Sequence, residues 1–168
     1  MTEYAINPTG RFTDRVSDYV RFRPGYPDAL LETLEAGVPL SPGYVVADIG
    51  AGTGISTSFL LRAGWTVIAV EPNDAMRAAA DALLAGRAHV RSVRGTAEAT
   101  TLPDRSIDLV TAGQAFHWFD PRRARAEFRR ILRPHGRVAL FWNVRRRDAD
   151  AFARAYEALL RTYGTDYL

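Results

Sequence analysis

The sequence predicts an α/β fold built on a mostly parallel sheet. Three observations carry that prediction. Short apolar runs of strand length recur along the chain, amphipathic helical segments alternate with them, and the connections between the two are short. The bulk numbers agree: 168 residues suffice for one domain with a hydrophobic core, and shares of 47% hydrophobic and 24% charged residues are ordinary for a globular chain. No apolar stretch approaches the ~18 residues of a membrane-spanning helix.

Residues 1–27 read as an irregular arm and residues 28–168 as the α/β domain. The arm is broken by Pro8, Gly10, Pro24, Gly25 and Pro27, yet it carries Phe12, Tyr19, Phe22 and Tyr26, more aromatic surface than a disordered tail holds. From Asp28, the residues Leu30, Leu31 and Leu34 share one helical face, and Gly37 stops the helix. Pro39 to Gly43 is a loop. Val45 to Ile49 is a buried strand ending in glycines, and Ile55 to Ala63 a helix stopped by Gly64. Thr66 to Val70 is a second buried strand. Asn73 caps a helix that turns Met76, Ala80, Leu83 and Leu84 inward, with Gly86 after it.

His89 to Val93 is a third strand, less apolar and so at an edge, and Ile107 to Thr111 is a fourth. Asp120, followed by proline at the first helical position, opens a helix that buries Ala124, Phe128, Ile131 and Leu132 and ends at Pro134-His135-Gly136. Val138 to Trp142 is a fifth strand. Asp148 opens a last helix with Phe152, Tyr156, Leu159, Leu160 and Tyr163 on one face, closed by Gly164.

Composition excludes several chemistries. There is no cysteine, which removes disulfides, thiolate zinc sites and thiol nucleophiles. The start lacks a basic segment followed by an apolar one, so no secretory signal is expected, and the cytoplasm is the expected compartment. The net charge is +3, and all 22 basic residues are arginine. Arg122, Arg123, Arg125, Arg129, Arg130 and Arg133 crowd one helix, and Arg145 to Arg147 follow the fifth strand. No aromatic platform interleaves with them, so a solvated face is expected rather than a nucleic-acid surface.

Ligands of parallel sheets bind beyond the carboxyl ends of the strands. The loop after the first strand reads Asp48-Ile49-Gly50-Ala51-Gly52-Thr53-Gly54. Its glycines permit a sharp turn and let a ligand lie against bare backbone, and the helix behind it offers free amide hydrogens. The dinucleotide spacing G-x-G-x-x-G is not met, because Ile55 holds the third glycine's position. Asp48 repels a pyrophosphate and suits a zwitterionic or cationic ligand. Glu71 ends the second strand, where an acid accepts hydrogen bonds from both hydroxyls of a ribose. Acid, glycine loop and second acid in one β-α-β unit point to a nucleoside-containing ligand.

These residues, with Gly95-Thr96-Ala97-Glu98 before Leu102-Pro103, Gln114-Ala115-Phe116-His117-Trp118, and Ile131-Leu132-Arg133-Pro134-His135-Gly136-Arg137, resemble class I S-adenosylmethionine (SAM)-dependent methyltransferases. The likeness is to the small-molecule branch that includes the ubiquinone/menaquinone and trans-aconitate methyltransferases, and it runs from about Tyr19 to the last helix. The resemblance implies a Rossmann-like domain that uses SAM. It sets Gly50, Ala51 and Gly52 against the methionine half, Asp48 on the ammonium group directly or through water, and Glu71 on the ribose. Pro72, Asn73 and Met76 flank the adenine. Thr96 stands where many relatives carry aspartate, so Glu98 or the backbone around Ala97 takes part of the adenine contact. Gln114 adds to the cofactor set from beyond the fourth strand. Tyr19-Val20-Arg21-Phe22-Arg23-Pro24-Gly25-Tyr26-Pro27 resembles the branch's lid, with Tyr19 near the sulfonium and Arg23 on the SAM carboxylate.

A sulfonium methyl is already activated, so alignment of the acceptor is the main requirement. His117 is the candidate base, by position and titration range; the other reading of it is a packed structural histidine between Phe116 and Trp118. Gly113-Gln114-Ala115-Phe116 lacks the Asp/Asn-Pro-Pro-Tyr/Phe of base-amino methylation, so adenine and cytosine are not expected acceptors. A small molecule is the expected acceptor and no metal is expected. The other readings are a SAM-binding module without activity, an RNA methyltransferase, and a nicotinamide-dependent oxidoreductase. The family sheet has seven strands ordered 3-2-1-4-5-7-6, and only five are placed here. The expectation is therefore a chain truncated after the fifth strand and its helix, with strands six and seven missing. The fifth strand then forms an apolar edge, and the expectation is that the chain self-associates through it or is only marginally stable.

Overall fold

A computed structural model of the protein describes residues 22–37 and 43–164. Its centre is one five-stranded sheet in the order β3-β2-β1-β4-β5. Every strand pair is parallel. The strands are β1 (Val45–Ile49), β2 (Thr66–Val70), β3 (Val90–Val93), β4 (Ile107–Gly113) and β5 (Leu132–Phe141). The helices are α1 (Asp28–Gly37), α2 (Ile55–Leu60, continued as a 3-10 turn over Leu61–Ala63), α3 (Asp74–Leu83), α4 (Pro121–Ile131) and α5 (Ala151–Tyr163). This is the α/β arrangement on a parallel sheet that the alternation of segments predicts, and the Rossmann-like form that the resemblance implies. No helix among the described residues is long and apolar enough to cross a membrane.

Two apolar clusters sandwich the sheet. One joins Ala47, Ile49, Ile68, Val70, Val110 and α4's Phe128 and Ile131. The other joins Val46, Val67 and Leu109 to Phe59, Leu60, Trp65 and α1's Leu34. Side chains alternate along β1, so Asp48 lies on the Val46 face, toward α2.

The helix starts follow their capping residues. Asn73 accepts from the Met76 amide and Asp120 from the amides of Arg122 and Arg123, with Pro121 in the first turn. Gly64 ends the α2 segment in the left-handed conformation, as the sequence predicts. Four expectations need correction. Leu83 is 42% exposed, because Met76, Ala80 and Leu84 already fill α3's inward face. The run Pro134-His135-Gly136 does not end a helix: α4 stops at Ile131, and the run is an irregularity inside β5, between the pairs Ile107–Leu132 and Leu109–Arg137. His135 takes a positive φ of 70° there, which gives the chain the kink that proline and glycine suggested to be a turn. Finally, Asp150 rather than Asp148 caps α5, accepting from Ala153, and β5 stops at Phe141, before Trp142.

β5 is an edge strand; Val138 and Leu140 stand exposed on it, and Trp142 and Val144 stand exposed just beyond its end. The α5 face of Phe152, Tyr156, Leu159 and Tyr163 is also exposed. Its buried member is instead Glu157, which pairs with Arg145 at 2.7 Å and Arg161 at 3.0 Å.

Candidate functional site

β1 and β2 run in register from Val45–Thr66 to Ile49–Val70. The residues that leave the two strands, Gly50 and Glu71, therefore emerge side by side. Gly50 and Ala51 both donate to Val70 O, at 2.9 and 3.2 Å, which folds the turn back over the end of β2. Gly50 and Gly52 adopt φ of 69° and 56°, a region open to glycine. At Gly50 a Cβ would lie 2.7 Å from Ala115 Cβ, so glycine also lets the loop after β4 close down on this turn. At Gly52 a Cβ would meet nothing within 4 Å, so bare backbone there faces open space.

Glu71 completes the turn. Its Oε2 accepts from Gly52 N and its Oε1 from Asn73 N, each at 2.9 Å. Burial pushes its pKa up, against the two amide hydrogen bonds and the Arg77 charge that favour the anion. Each oxygen keeps a further acceptor site.

Asp48 lies beneath the turn and has no exposed surface. Its Oδ2 accepts from Ser56 and Thr57, both at 2.7 Å, and its Oδ1 from Thr111 at 3.1 Å. Ser56 and Thr57 come from the first turn of α2, and Thr111 is Asp48's register partner on β4. Desolvation raises the Asp48 pKa, and the three hydroxyls oppose it. Thr53, in the turn itself, is 1% exposed and its hydroxyl has no partner among the described residues.

The cleft over the turn is lined by Arg23, Pro24, Tyr26, Gly50 to Thr53, Ile55, Ser56 and Gly113. Arg23 thus stands at the glycine turn. Tyr19 lies outside the described residues. Pro72 is half-buried beside Glu71, while Met76 is 3% exposed and packed under α3, leaving little of it to meet a ligand. Beyond β3, Thr96 and Ala99 form a small antiparallel bridge, Ala97 joins the core, and Glu98 accepts from the Asp120 amide at 2.8 Å. Glu98 is therefore tied to the start of α4. Gln114 leaves β4 with a positive φ of 59° and donates its amide to Phe141 O. No group of side chains that could hold a metal occurs among the described residues.

His117 lies on the 3-10 turn Phe116–Trp118. Trp142, just past β5, directs its indole N–H to His117 Nδ1 at 3.5 Å, and Trp118 packs against the ring with centroids 4.8 Å apart. Partial burial, then the Arg23 charge, holds the His117 pKa below its usual value.

Sequence reasoning did not single out the Ser56, Thr57 and Thr111 cage, the Thr53 hydroxyl, Ala115 or Trp142. A signal for Ser56 and Thr57 existed: two hydroxyl residues open the helix behind the loop, opposite a strand-end acid. Thr111 and Trp142 become visible only through strand register.

A family profile described as a methyltransferase domain matches residues 47–140. The chain is 42% identical over 134 residues to an uncharacterised methyltransferase of Mycobacterium bovis, covering 80% of this chain and 52% of that protein. An uncharacterised methyltransferase of Schizosaccharomyces pombe is 35% identical over 135 residues, covering 80% of this chain and 53% of that protein. Among solved structures, a candidate type II methyltransferase of Anaeromyxobacter dehalogenans superposes with a TM-score of 0.69 at 34% identity, covering 84% of this chain and 59% of that one. The chain thus spans about half the length of the curated relatives it matches.

Proposed function

We propose, from the premise that this chain belongs to the methyltransferase-domain family, that it binds S-adenosylmethionine over the Gly50–Gly54 turn and passes the methyl group to a small-molecule acceptor. The observation that carries the reading is the Glu71 carboxylate on the Gly52 amide, an acid built into the glycine turn itself. Three features fit an adenosyl sulfonium ligand: open space over Gly52, a buried Thr53 hydroxyl without a partner among the described residues, and a buried carboxyl group, that of Asp48, beneath the turn.

SAM supplies an activated methyl group on a positively charged sulfur. In this reading Gly50, Ala51 and Gly52 present backbone to the methionine half. The remaining acceptor sites of Glu71 take the ribose hydroxyls. Asp48 favours the ammonium and sulfonium charges through its hydroxyl cage, and Arg23 faces the carboxylate. Pro72, Thr96, Ala97, Glu98 and Gln114 border the adenine side. Residues 1–27 act as a lid in this reading, and the acceptor lies beside Arg23, Pro24, Tyr26 and Gly113 at the cleft. The cysteine-free sequence supports a cytoplasmic setting.

Incubating the chain with methyl-labelled SAM and a metabolite extract tests this. Transfer of label into a small molecule supports it. Binding of SAM without transfer reduces the function to that of a binding module, and absence of binding overturns the reading.

The exposed apolar run of β5 supports one further element: two copies associate through this edge. A strictly monomeric chain at high concentration contradicts it.

A further inference from the structure

We propose that Tyr26 is a positioning residue: its ring, seated on the bare backbone of Gly113 between Phe59 and Phe141, holds Arg23 at the glycine turn for the cofactor. The inference rests on the methyl-transfer reading above and adds to it how the arm is held over the turn.

The carrying observation is at Gly113, the last residue of β4. A Cβ there would lie 2.6 Å from the Tyr26 hydroxyl oxygen and 2.6 Å from Phe141 Cε2. Atoms in favourable contact lie about 3.5–4.0 Å apart, so neither ring leaves room for a side chain. Gly113 has no positive φ, so its backbone would accept one. The two rings, and not the turn of the chain, require glycine at this position. The Tyr26 ring meets Phe141 edge-on with centroids 4.9 Å apart, and Phe59 at 5.6 Å. Both are spacings that aromatic pairs favour. Phe59 belongs to α2 and Phe141 ends β5, so one ring joins the arm to the helix behind the glycine turn and to the strand beside β4. Of residues 22–27, Tyr26 alone is half-buried and the rest are exposed. That ring is where the stretch is set into the domain.

Further contacts carry the fixed point toward Arg23. The Gly25 carbonyl accepts from Asn143 Nδ2 at 3.2 Å, just past β5. Pro27 O accepts from the Leu30 amide at 3.0 Å, where α1 begins. Pro24 locks its own φ and narrows the conformations open to Arg23. Arg23, Pro24 and Tyr26 line one cleft with Gly50 to Thr53 and Gly113. The arginine therefore stands on a short, restrained stretch whose anchor lies in the same cleft. A cation placed before the ligand arrives spares the cost of ordering it on binding, whereas one on a loose arm does not.

Calorimetry with S-adenosylhomocysteine, which keeps the carboxylate, tests the coupling. Arg23→Gln is expected to weaken binding about tenfold in the wild type and less than about twofold in Tyr26→Ala, where the arginine is no longer placed. A merely structural tyrosine would lower affinity in its own variant but leave the Arg23 effect unchanged. Tyr26→Phe keeps the ring and is expected to bind within about twofold of the wild type. Gly113→Ala keeps the tyrosine but displaces it, and is expected to lose as much affinity as Tyr26→Ala. Equal losses for Arg23→Gln in both backgrounds, no loss for it in the wild type, or a Tyr26→Phe as weak as Tyr26→Ala overturns the proposal. Heteronuclear 1H–15N NOEs read the anchor without ligand. The Arg23 amide is expected to gain fast motion in Tyr26→Ala while the amides of β1 and β4 keep their values, and an unchanged Arg23 overturns the anchor. A wild type that binds no S-adenosylhomocysteine overturns the cofactor reading instead, so the two failures are distinguishable.

Discussion

The Glu71 carboxylate accepts the Gly52 amide at 2.9 Å, so the acid that leaves β2 is a structural part of the turn that leaves β1. The β1–β2 register, which ends at Ile49–Val70, makes this contact local rather than fortuitous. One side chain therefore shapes the backbone a ligand would lie on and remains an acceptor for that ligand.

Replacing Glu71 by alanine strands two backbone N–H groups, those of Gly52 and Asn73. A stranded donor costs about 1–3 kcal/mol when buried, and these two are part-buried, so the low end, about 1 kcal/mol, applies. Chemical denaturation of Glu71→Ala is expected to show a loss of that order without added ligand, and faster amide exchange at Gly52. Unchanged exchange at Gly52 would contradict the structural half of its role.

In the proposed reading Asp48 acts through charge from beneath the turn. SAM carries one net positive charge and S-adenosylhomocysteine none. Asp48→Asn keeps the shape of the hydroxyl cage and removes the charge. Calorimetry should show SAM affinity falling about tenfold, or ~1.4 kcal/mol, with a much smaller change for S-adenosylhomocysteine. Equal losses for both would mean that Asp48 only supports the fold.

Glu127 ties the segment after β3 to α4. It accepts from the amide and hydroxyl of Thr100 and pairs with Arg130, and these contacts hold its pKa at about 2. A depressed carboxylate pKa gives stability that is complete above the unfolded value of 4.5 and is lost as pH falls toward about 2. Denaturation midpoints of the wild type should therefore fall through that window, and those of Glu127→Gln should fall less. At neutral pH, Glu127→Ala is expected to cost roughly 3 kcal/mol.

The exposed β5 edge gives a prediction of its own. A lysine at an edge position blocks strand pairing between copies. Sedimentation of the wild type should show a concentration-dependent dimer, and Val138→Lys, at a residue already 46% exposed, should shift it to monomer while leaving thermal stability nearly unchanged.

Much of this was legible in the sequence, for physical reasons. β1 and β2 are buried on both faces, so their apolar runs stop where the strands stop. The capping chemistry of Asn73 and Asp120-Pro121 is local and reads directly. Asp148 and Asp150 are equally good caps in isolation, and only the structure separates them. The β5 irregularity was hidden because Pro134 and Gly136 are turn residues wherever they occur. The site followed the same division. Its glycines and strand-end acids lie within one β-α-β unit and could be read from spacing. The Thr111–Asp48 and Trp142–His117 contacts join residues 63 and 25 positions apart, and only strand packing brings them together.

The central claim is that the Asp48–Gly54 turn and Glu71 form one cradle for an adenosyl sulfonium compound. Isothermal titration of the wild type and Glu71→Ala with S-adenosylhomocysteine and with NADH tests it most directly. The account predicts saturable heat with S-adenosylhomocysteine in the wild type, a ten- to hundredfold weaker affinity (about 1.4–2.7 kcal/mol) in Glu71→Ala, and no heat with NADH. Tight NADH binding, or adenosyl binding unaffected by loss of the Glu71 carboxylate, would contradict it.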